Sequence, residues 1–182
     1  SLRLFSNMSV LDNVLVGMHS VTDAGLVASM LRLPSVRREE AAMRDKAQEI
    51  LAMFPGRFSG PRQQQPAYSL SYANRRRLEI ARALASEPVL LLLDEPVAGM
   101  NLEETEDMAR FINDIRWELG IGIILVEHEM RMVMDLADTV LAVDFGRPIA
   151  QGTPAEIQAN PDVIRAYLGE EHGTAGSGGE DA

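Results

Sequence analysis

Two short runs of aliphatic residues interrupt an otherwise mixed pattern of hydrophobic and polar positions. Residues 89–93 read Val-Leu-Leu-Leu-Leu, and residues 122–126 read Gly-Ile-Ile-Leu-Val. An unbroken apolar run of this length predicts a parallel strand that is buried on both faces, because a strand with one solvent-exposed face would alternate apolar and polar residues. The chain is therefore predicted to contain two buried parallel strands, which is typical of an α/β domain.

Helical periodicity accounts for much of the remaining chain. Residues 102–119 repeat apolar side chains at steps of three and four, with Asn101 as a suitable N-cap and Gly120 as the stop. Residues 139–143 and 149–151 flank a turn and predict an antiparallel hairpin. Further helices are predicted over residues 9–17, 35–53, 75–85, 130–137 and 161–168.

Polar side chains follow each of the two apolar runs. Asp94 and Glu95 come directly after the first run, and His128 comes two residues after the second. Ligands of open parallel sheets bind at the carboxyl ends of the strands, where an aspartate is well placed to hold Mg²⁺ through water and a glutamate to orient or deprotonate an attacking water. The alternative for the carboxylates is a plain strand followed by a solvated turn. A lone histidine is more often structural than functional.

A third feature is the stretch Leu-Ser-Tyr-Ala-Asn-Arg-Arg-Arg-Leu-Glu-Ile-Ala-Arg-Ala-Leu at residues 70–84. It predicts a helix that is apolar on one side and basic on the other. A helix N-terminus presents unpaired N–H groups and a partial positive charge, so Ser71 and the amides near Ala73 are able to meet a phosphate. The alternative is a capped surface helix whose arginines lie on the wet side, and periodicity alone favours that alternative.

The order of these motifs resembles the second half of an ATP-binding cassette (ABC) ATPase. Such a cassette carries a signature motif with its helix, then a Walker B strand with a catalytic glutamate, a D-loop and a switch histidine. Residues 70–84, 89–95, 98–101 and 126–128 resemble these motifs in this order, and the resemblance covers nearly the whole chain. The signature region together with Glu-His-Glu-Met at residues 127–130 most resembles ATPase subunits of branched-chain amino-acid importers.

The resemblance implies a role for each residue of these motifs. It implies that Glu95 and His128 are catalytic, with the histidine at the γ-phosphate, and that Asp94 holds Mg²⁺ through water. The signature departs from the family pattern, because Ala73 stands where a second glycine is usual and Asn74 where a glutamine is usual. Alanine is less favourable than glycine at a position with a left-handed backbone, because glycine has no Cβ atom. The signature residues implied to contact the ATP of the opposite subunit are Ser71, Tyr72, Ala73 and Asn74. The implied D-loop residues are Gly99 and Asn101.

The implied fold is an α/β, P-loop NTPase core of the ABC ATPase type, with parallel strands and an added α-helical subdomain. We expect residues 1–88 to form the helical subdomain with the signature motif and its helix. Residues 89–168 are expected to form the C-terminal part of a RecA-like ATPase core. Residues 169–182, rich in glycine and acidic residues, are expected to be a disordered tail.

No phosphate-binding loop can be found among the 182 residues. The only lysine is Lys46, in a charged stretch, and no Gly-Lys pair occurs. The loop of a P-loop ATPase needs Gly-rich backbone N–H groups and a lysine that reaches the β- and γ-phosphates. The chain is therefore interpreted as a fragment or as a degenerate family member. The intact downstream motifs favour a fragment with an incomplete core, inactive by itself, of a full-length ATPase.

Composition narrows the class of function further. The net charge of −10 argues against a nucleic-acid binder, and the absence of cysteine excludes disulfides and thiolate metal sites. No apolar run approaches the length of a membrane span. The resemblance implies a cytoplasmic location, peripheral at the inner face of the cell membrane.

The resemblance also implies cofactors and partners. The implied cofactors are ATP and Mg²⁺, and the implied partners are a second ATPase subunit, in a homo- or heterodimer, and membrane permease subunits. The implied function is ATP hydrolysis that drives an importer, with branched-chain amino acids as the implied cargo. Two alternatives remain open, namely a soluble, non-transporter cassette ATPase that acts on nucleic acid and a non-catalytic interaction module.

Overall fold

The computed structural model describes residues 4–18, 34–54 and 56–173. The chain divides into two compact units, Ser1–Val126 and Glu127–Ala182. Each unit contains its own helices and its own two-stranded sheet. Residues 174–182 of the expected tail lie outside the described residues.

Two helices begin the described part of the first unit. Helix α1 (Val10–Gly17) starts after the N-cap Ser9, whose Oγ accepts a hydrogen bond from the N–H of Asp12 at 3.0 Å. Helix α2 spans Pro34–Ala52 and contacts α1. Both helices predicted for this part of the chain are confirmed, with ends that differ by a residue or so.

Helix α3 (Tyr72–Leu84) packs closely against α1. A methyl group built on Gly17 would lie 2.3 Å from the carbonyl oxygen of Arg82, so only glycine allows the two helices to approach this closely. The helix predicted over residues 75–85 is confirmed, although it begins three residues earlier. Side chains that these three helices bury completely, or nearly so, include Val10, Leu11, Val14, Leu51, Leu78 and Ala81.

A parallel strand–helix–strand unit follows. Strand β1 (Leu90–Asp94) pairs in parallel with strand β2 (Gly122–Val126) along its whole length. Helix α4 (Leu102–Leu119) connects the strands, starting at the N-cap Asn101 and ending at Gly120, which adopts a left-handed φ of 62°. The two parallel strands and the helix between them are therefore confirmed.

The expectation that both faces of the strands are buried is wrong within the described residues. Leu91 and Leu93 are only 5% and 8% exposed, so one face is covered. The opposite face is largely exposed to solvent within the described residues. We term this surface the open sheet face, and its side chains are 45–69% exposed: Leu90, Leu92, Ile124 and Val126.

The open sheet face is expected to drive self-association of the 182-residue chain. Burying one aliphatic side chain stabilises by roughly 1.5–3 kcal/mol, and an unpaired strand edge offers backbone N–H and C=O groups to a second copy. Light scattering should therefore report a mass that rises with protein concentration. Replacing the most exposed leucine, in Leu92→Ser, should lower that mass without unfolding the chain.

Leu91→Ser is the matched control for this prediction. Leu91 lies next to Leu92 on the same strand but is buried, so its replacement should lower the free energy of unfolding by roughly 2–5 kcal/mol. Denaturant titration measures this loss directly. The prediction is wrong if the unmodified chain stays a monodisperse monomer at every concentration tested.

The second unit contains the hairpin. Helix α5 (Met130–Leu136) precedes the antiparallel strands β3 (Val140–Asp144) and β4 (Arg147–Gly152). The connecting residues Phe145 and Gly146 have φ values of 44° and 75°, both in the left-handed region that a type I′ turn requires. The predicted antiparallel hairpin is confirmed.

Two helices end the described part of the second unit. Helix α6 (Pro154–Gln158) begins with a capping box formed by Thr153 and Glu156. Helix α7 spans Pro161–Gly173, so residues 169–173 of the predicted tail are helical. None of the helices in the described residues has both the length and the apolar character needed to cross a membrane.

Candidate active site

The two strand-end carboxylates lie at the carboxyl edge of the parallel sheet. Asp94 is the last residue of β1, Glu95 follows it, and both residues are exposed. The N–H of Glu95 donates a hydrogen bond to the carbonyl oxygen of Val126 at 2.9 Å. Strand β2 therefore fixes the backbone at the point where the second carboxylate leaves the sheet.

The backbone of Glu95 adopts a left-handed conformation with a φ of 44°. For a residue with a Cβ atom this conformation costs about 1–2 kcal/mol. Such outliers persist where the surrounding structure holds them, and they cluster at functional sites. The sequence pattern did not predict this conformation, because no glycine marks the position.

The strand-end turn, residues 95–100, leads from β1 to the start of α4. Gly99 has a φ of 75°, which a residue with a side chain rarely adopts. Asn101 then caps α4, and its Oδ1 accepts a hydrogen bond from the N–H of Glu104 at 2.9 Å. Two backbone bonds close the turn, from the N–H of Ala98 to the carbonyl of Glu95 at 3.2 Å and from the N–H of Met100 to that of Val97 at 3.0 Å.

The carboxylates fit one kind of magnesium site. Among the described residues, no group of three or more His, Cys, Asp or Glu side chains is placed to hold a metal ion. Asp94 and Glu95 supply two carboxylates at an exposed edge. Mg²⁺ usually keeps several waters and is held by one or two carboxylates together with phosphate oxygens. The edge therefore fits Mg²⁺ held jointly with a phosphate ligand, and it does not fit an all-protein cage.

The predicted signature residues form the start of α3. Ser71 is the N-cap, and its Oγ accepts a hydrogen bond from the N–H of Asn74 at 3.4 Å. Ser71 and Tyr72 are exposed, whereas Ala73 is buried. Because Ala73 lies inside the helix and does not have a positive φ, it introduces no left-handed strain where the family usually has glycine.

Arg77 corrects the expectation that the arginines of α3 all lie on its wet side. Its side chain is only 4% exposed, and burial lowers the pKa of its guanidinium. Its Nη1 donates a hydrogen bond to Oδ1 of Asn74 at 3.4 Å, while its Nη2 has no hydrogen-bond partner among the described residues. Helix α3 is therefore not a simple surface helix.

The signature segment and the strand-end turn meet in the first unit. A methyl group built on Gly99 would lie 3.8 Å from Cε1 of Tyr72, which is an ordinary van der Waals distance. The structure thus brings an exposed residue of α3 beside the turn that begins at Glu95. No sequence pattern signals this proximity, because the two segments belong to separate helix starts.

His128 lies in the second unit, two residues beyond β2. Its side chain is 77% exposed, and its Nδ1 lies 3.9 Å from Oε2 of Glu127. The backbone N–H of His128 donates a hydrogen bond to the same oxygen at 3.2 Å. The role of His128 at a γ-phosphate remains a prediction.

A family model described as ABC transporter matches residues 1–98, which is more than half of the chain. The chain belongs to the ABC transporter family. A second model, described as branched-chain amino acid ATP-binding cassette transporter, matches residues 147–173. The family resemblance drawn from the motifs is therefore confirmed.

Two curated relatives of this ABC family member are similar along most of the chain. The high-affinity branched-chain amino acid transport ATP-binding protein LivG of Escherichia coli strain K12 is 42% identical over 168 residues, covering 92% of this chain and 65% of LivG. The protein BraF of Pseudomonas aeruginosa, which has the same description, is 38% identical over 175 residues, covering 93% of this chain and 66% of BraF. The chain thus spans about two thirds of the length of these relatives.

A solved structure has the same fold. The ADP conformation of MJ1267, an ATP-binding cassette of an ABC transporter, matches with a TM-score of 0.71 and 26% sequence identity, covering 90% of this chain and 64% of that chain. The predicted fold class is therefore confirmed, namely an α/β ABC ATPase fold of the P-loop NTPase type with parallel strands.

Proposed function

We propose that this chain belongs to the ATP-binding subunit of an ABC importer for branched-chain amino acids, which couples ATP hydrolysis to transport. The observation that carries the proposal is Glu95 at the carboxyl end of β1, held beside β2 and joined by a tight turn to α4. The descriptions of LivG and BraF as branched-chain amino acid transport proteins support the cargo class.

Each residue of the edge has a role in this proposal. Asp94 would hold Mg²⁺ through water, and Glu95 would accept the proton of the attacking water. When bound, Mg²⁺ would neutralise charge on the phosphates. The N–H groups at the start of α3, with Ser71, would meet the γ-phosphate of ATP held by the opposite subunit. Gly99 and Asn101 would shape the D-loop.

The Gly-rich loop and its lysine are not found in these 182 residues. We infer that they are supplied from elsewhere in the working protein, and that the chain alone hydrolyses no ATP. We use the term complete ATPase for a polypeptide that carries this chain together with such a loop. The absence of a Gly-Lys pair also favours a second candidate, a non-catalytic docking module, which predicts that even the complete ATPase turns over no ATP.

The proposed partners are a second ATPase subunit and the membrane permease subunits, at the cytoplasmic face of the membrane. The net charge of −10 disfavours nucleic acid as a partner. Affinity purification of the complete ATPase from detergent-solubilised membranes tests this assignment. Recovery of a membrane permease supports it, and recovery of nucleic acid without a permease contradicts it.

His128→Ala in the complete ATPase is expected to lower ATP turnover by about 10²–10³-fold, because a preorganised donor at a developing phosphate charge contributes on that scale. Arg131→Ala is the matched control, since Arg131 is exposed in the same unit and has no predicted role. Steady-state phosphate release measures both variants. If His128→Ala keeps near-normal turnover, the histidine is structural.

A further inference from the structure

Helix α1 buries a polar side chain among its apolar contacts. Asn13 is 0% exposed, as are Val10 and Val14 on the same helix. An amide taken out of water is costly unless its N–H and C=O groups find hydrogen-bond partners. A buried asparagine on an apolar helix face is therefore expected to hold a definite neighbour in place.

That neighbour is the turn at residues 5–9, which precedes α1 and which we term the Asn13 turn. Oδ1 of Asn13 accepts a hydrogen bond from the N–H of Phe5 at 3.0 Å. Its Nδ2 donates to the carbonyl oxygens of Phe5 at 3.1 Å, of Met8 at 3.4 Å and of Ser9 at 2.9 Å. The N–H of Met8 closes the turn on the carbonyl oxygen of Phe5 at 3.0 Å. One side chain thus ties the start and the end of the turn to α1.

The Asn13 turn is paired with residues 65–68, which lie far along the chain. Ser9 and Pro66 form an antiparallel bridge within this pairing. Backbone hydrogen bonds join the two segments, from the N–H of Ala67 to the carbonyl of Met8 at 2.9 Å, from that of Tyr68 to Ser6 at 3.0 Å, and from that of Val10 to Gln65 at 2.9 Å. Movement of the Asn13 turn is therefore transmitted to residues 65–68.

Residues 65–68 lead directly into the signature segment. The N–H of Leu70 donates to the carbonyl oxygen of Ala67 at 3.3 Å, and Leu70 is buried. Nε of Arg75, within α3, donates to the carbonyl oxygen of Leu70 at 3.0 Å. Ser71, the N-cap of α3, is the next residue. The position of the signature N–H groups thus depends on a series of contacts that begins at Asn13.

We propose that Asn13 is a positioning residue for the signature segment. Its amide fixes the Asn13 turn, the turn holds residues 65–68 through the backbone, and these residues place Ser71 and the first N–H groups of α3. The inference deepens the proposed function and rests on it for the role of the signature, while the contacts themselves belong to the chain alone.

Hydrogen exchange on the 182-residue chain tests these contacts without ATP. Asn13→Ala should speed exchange of the Ala67 and Tyr68 amides by about five- to thirtyfold relative to the amide of Ile115, which is buried in α4 and reports global unfolding. Val16→Ala is the matched control, because Val16 lies on the same helix but is exposed, and it should leave both ratios unchanged. If the two amides speed up no more than that of Ile115, Asn13 is a general stabiliser and the inference is overturned.

A second variant decides the case if Asn13→Ala does not fold. Proline suits the first position of a helix, and the ψ of 163° at Ser9 suits the residue before a proline, so Val10→Pro is compatible with the backbone. It removes the N–H that bonds Gln65. Val10→Ala, which also trims the buried side chain but keeps the N–H, is its control. Faster relative exchange of the same two amides in Val10→Pro than in Val10→Ala supports the inference, and equal rates overturn it.

Dimerisation of the complete ATPase tests the consequence for the proposed function. In a Glu95→Gln background, Asn13→Ala should raise the dissociation constant of the ATP-dependent dimer by about tenfold, because a displaced signature binds the ATP of the opposite subunit less well. ATP binding to the single subunit, measured at low protein concentration, should change less than about twofold, since the signature takes no part in it. Val16→Ala should change neither quantity. Equal losses of both affinities, or an unchanged dimer, would overturn the positioning role.

The inference and the proposed function fail in distinguishable ways. If the Ala67 and Tyr68 amides keep their relative exchange rates in Asn13→Ala, the inference is wrong whatever the complete ATPase does. If they speed up while Glu95→Gln leaves ATP turnover intact, the proposed function is wrong and the contacts are right. If they speed up and the dimer weakens while the single subunit binds ATP as before, both stand.

Discussion

Glu95→Gln in the complete ATPase is expected to lower ATP turnover by about 10²–10⁴-fold, so that hydrolysis is effectively lost while ATP still binds. The amide keeps the shape of the carboxylate and the strand-end backbone but cannot accept the proton of the attacking water. Steady-state phosphate release and nucleotide binding, measured on the same preparation, separate the two effects. Glu106→Gln, at an exposed carboxylate on α4, is the control and should leave both quantities unchanged.

A second substitution at this position distinguishes catalysis from stability. Glu95→Gly removes the carboxylate and also relieves the left-handed backbone, whose φ is 44°. Relief of the left-handed backbone stabilises the chain, and the entropy cost of glycine offsets part of that gain. The free energy of unfolding should therefore rise by up to about 1 kcal/mol. Turnover should be lost as in Glu95→Gln. A Glu95→Gln variant with unchanged turnover would remove Glu95 from its proposed role.

The 182-residue chain alone is expected to show no ATP hydrolysis above background. Its one lysine, Lys46, forms an ion pair with Glu87 and has no glycine-rich loop around it. Without backbone N–H groups and a lysine at the β- and γ-phosphates, Glu95 has no positioned nucleotide to act on. Phosphate release that scales with the concentration of the pure chain, and that is lost in Glu95→Gln, would contradict this prediction.

Local signals in the sequence predicted the elements around the site well. The cap at Asn101 and the stop at Gly120 bound a helix almost as the structure has it, because both ends depend on residues within one turn. The apolar runs located both strands, because a run of five residues fits the length of a strand and is short for a helix. The strand with its carboxylates had a plain structural alternative, and the family was recognised from the order of four motifs, at residues 70–84, 89–95, 98–101 and 126–128.

The remaining features depend on how distant segments pack, which periodicity does not encode. The solvent exposure of one face of β1, where Leu92 is 69% exposed, depends on which other elements cover the sheet. The burial of Arg77 depends on neighbouring elements, and an arginine-rich helix start predicts the opposite. The left-handed backbone of Glu95 and the proximity of Tyr72 to Gly99 arise where separate elements lie side by side.

The most direct test of the central claim is the mass of the complete ATPase carrying Glu95→Gln, measured by sedimentation with and without Mg²⁺ and ATP. The claim requires that the strand-end carboxylate of one subunit and the signature segment of the other act on the same nucleotide. The predicted result is a dimer that forms only with ATP and that Ser71→Arg prevents. A monomer at saturating ATP, or a dimer that forms equally without nucleotide, would contradict the account.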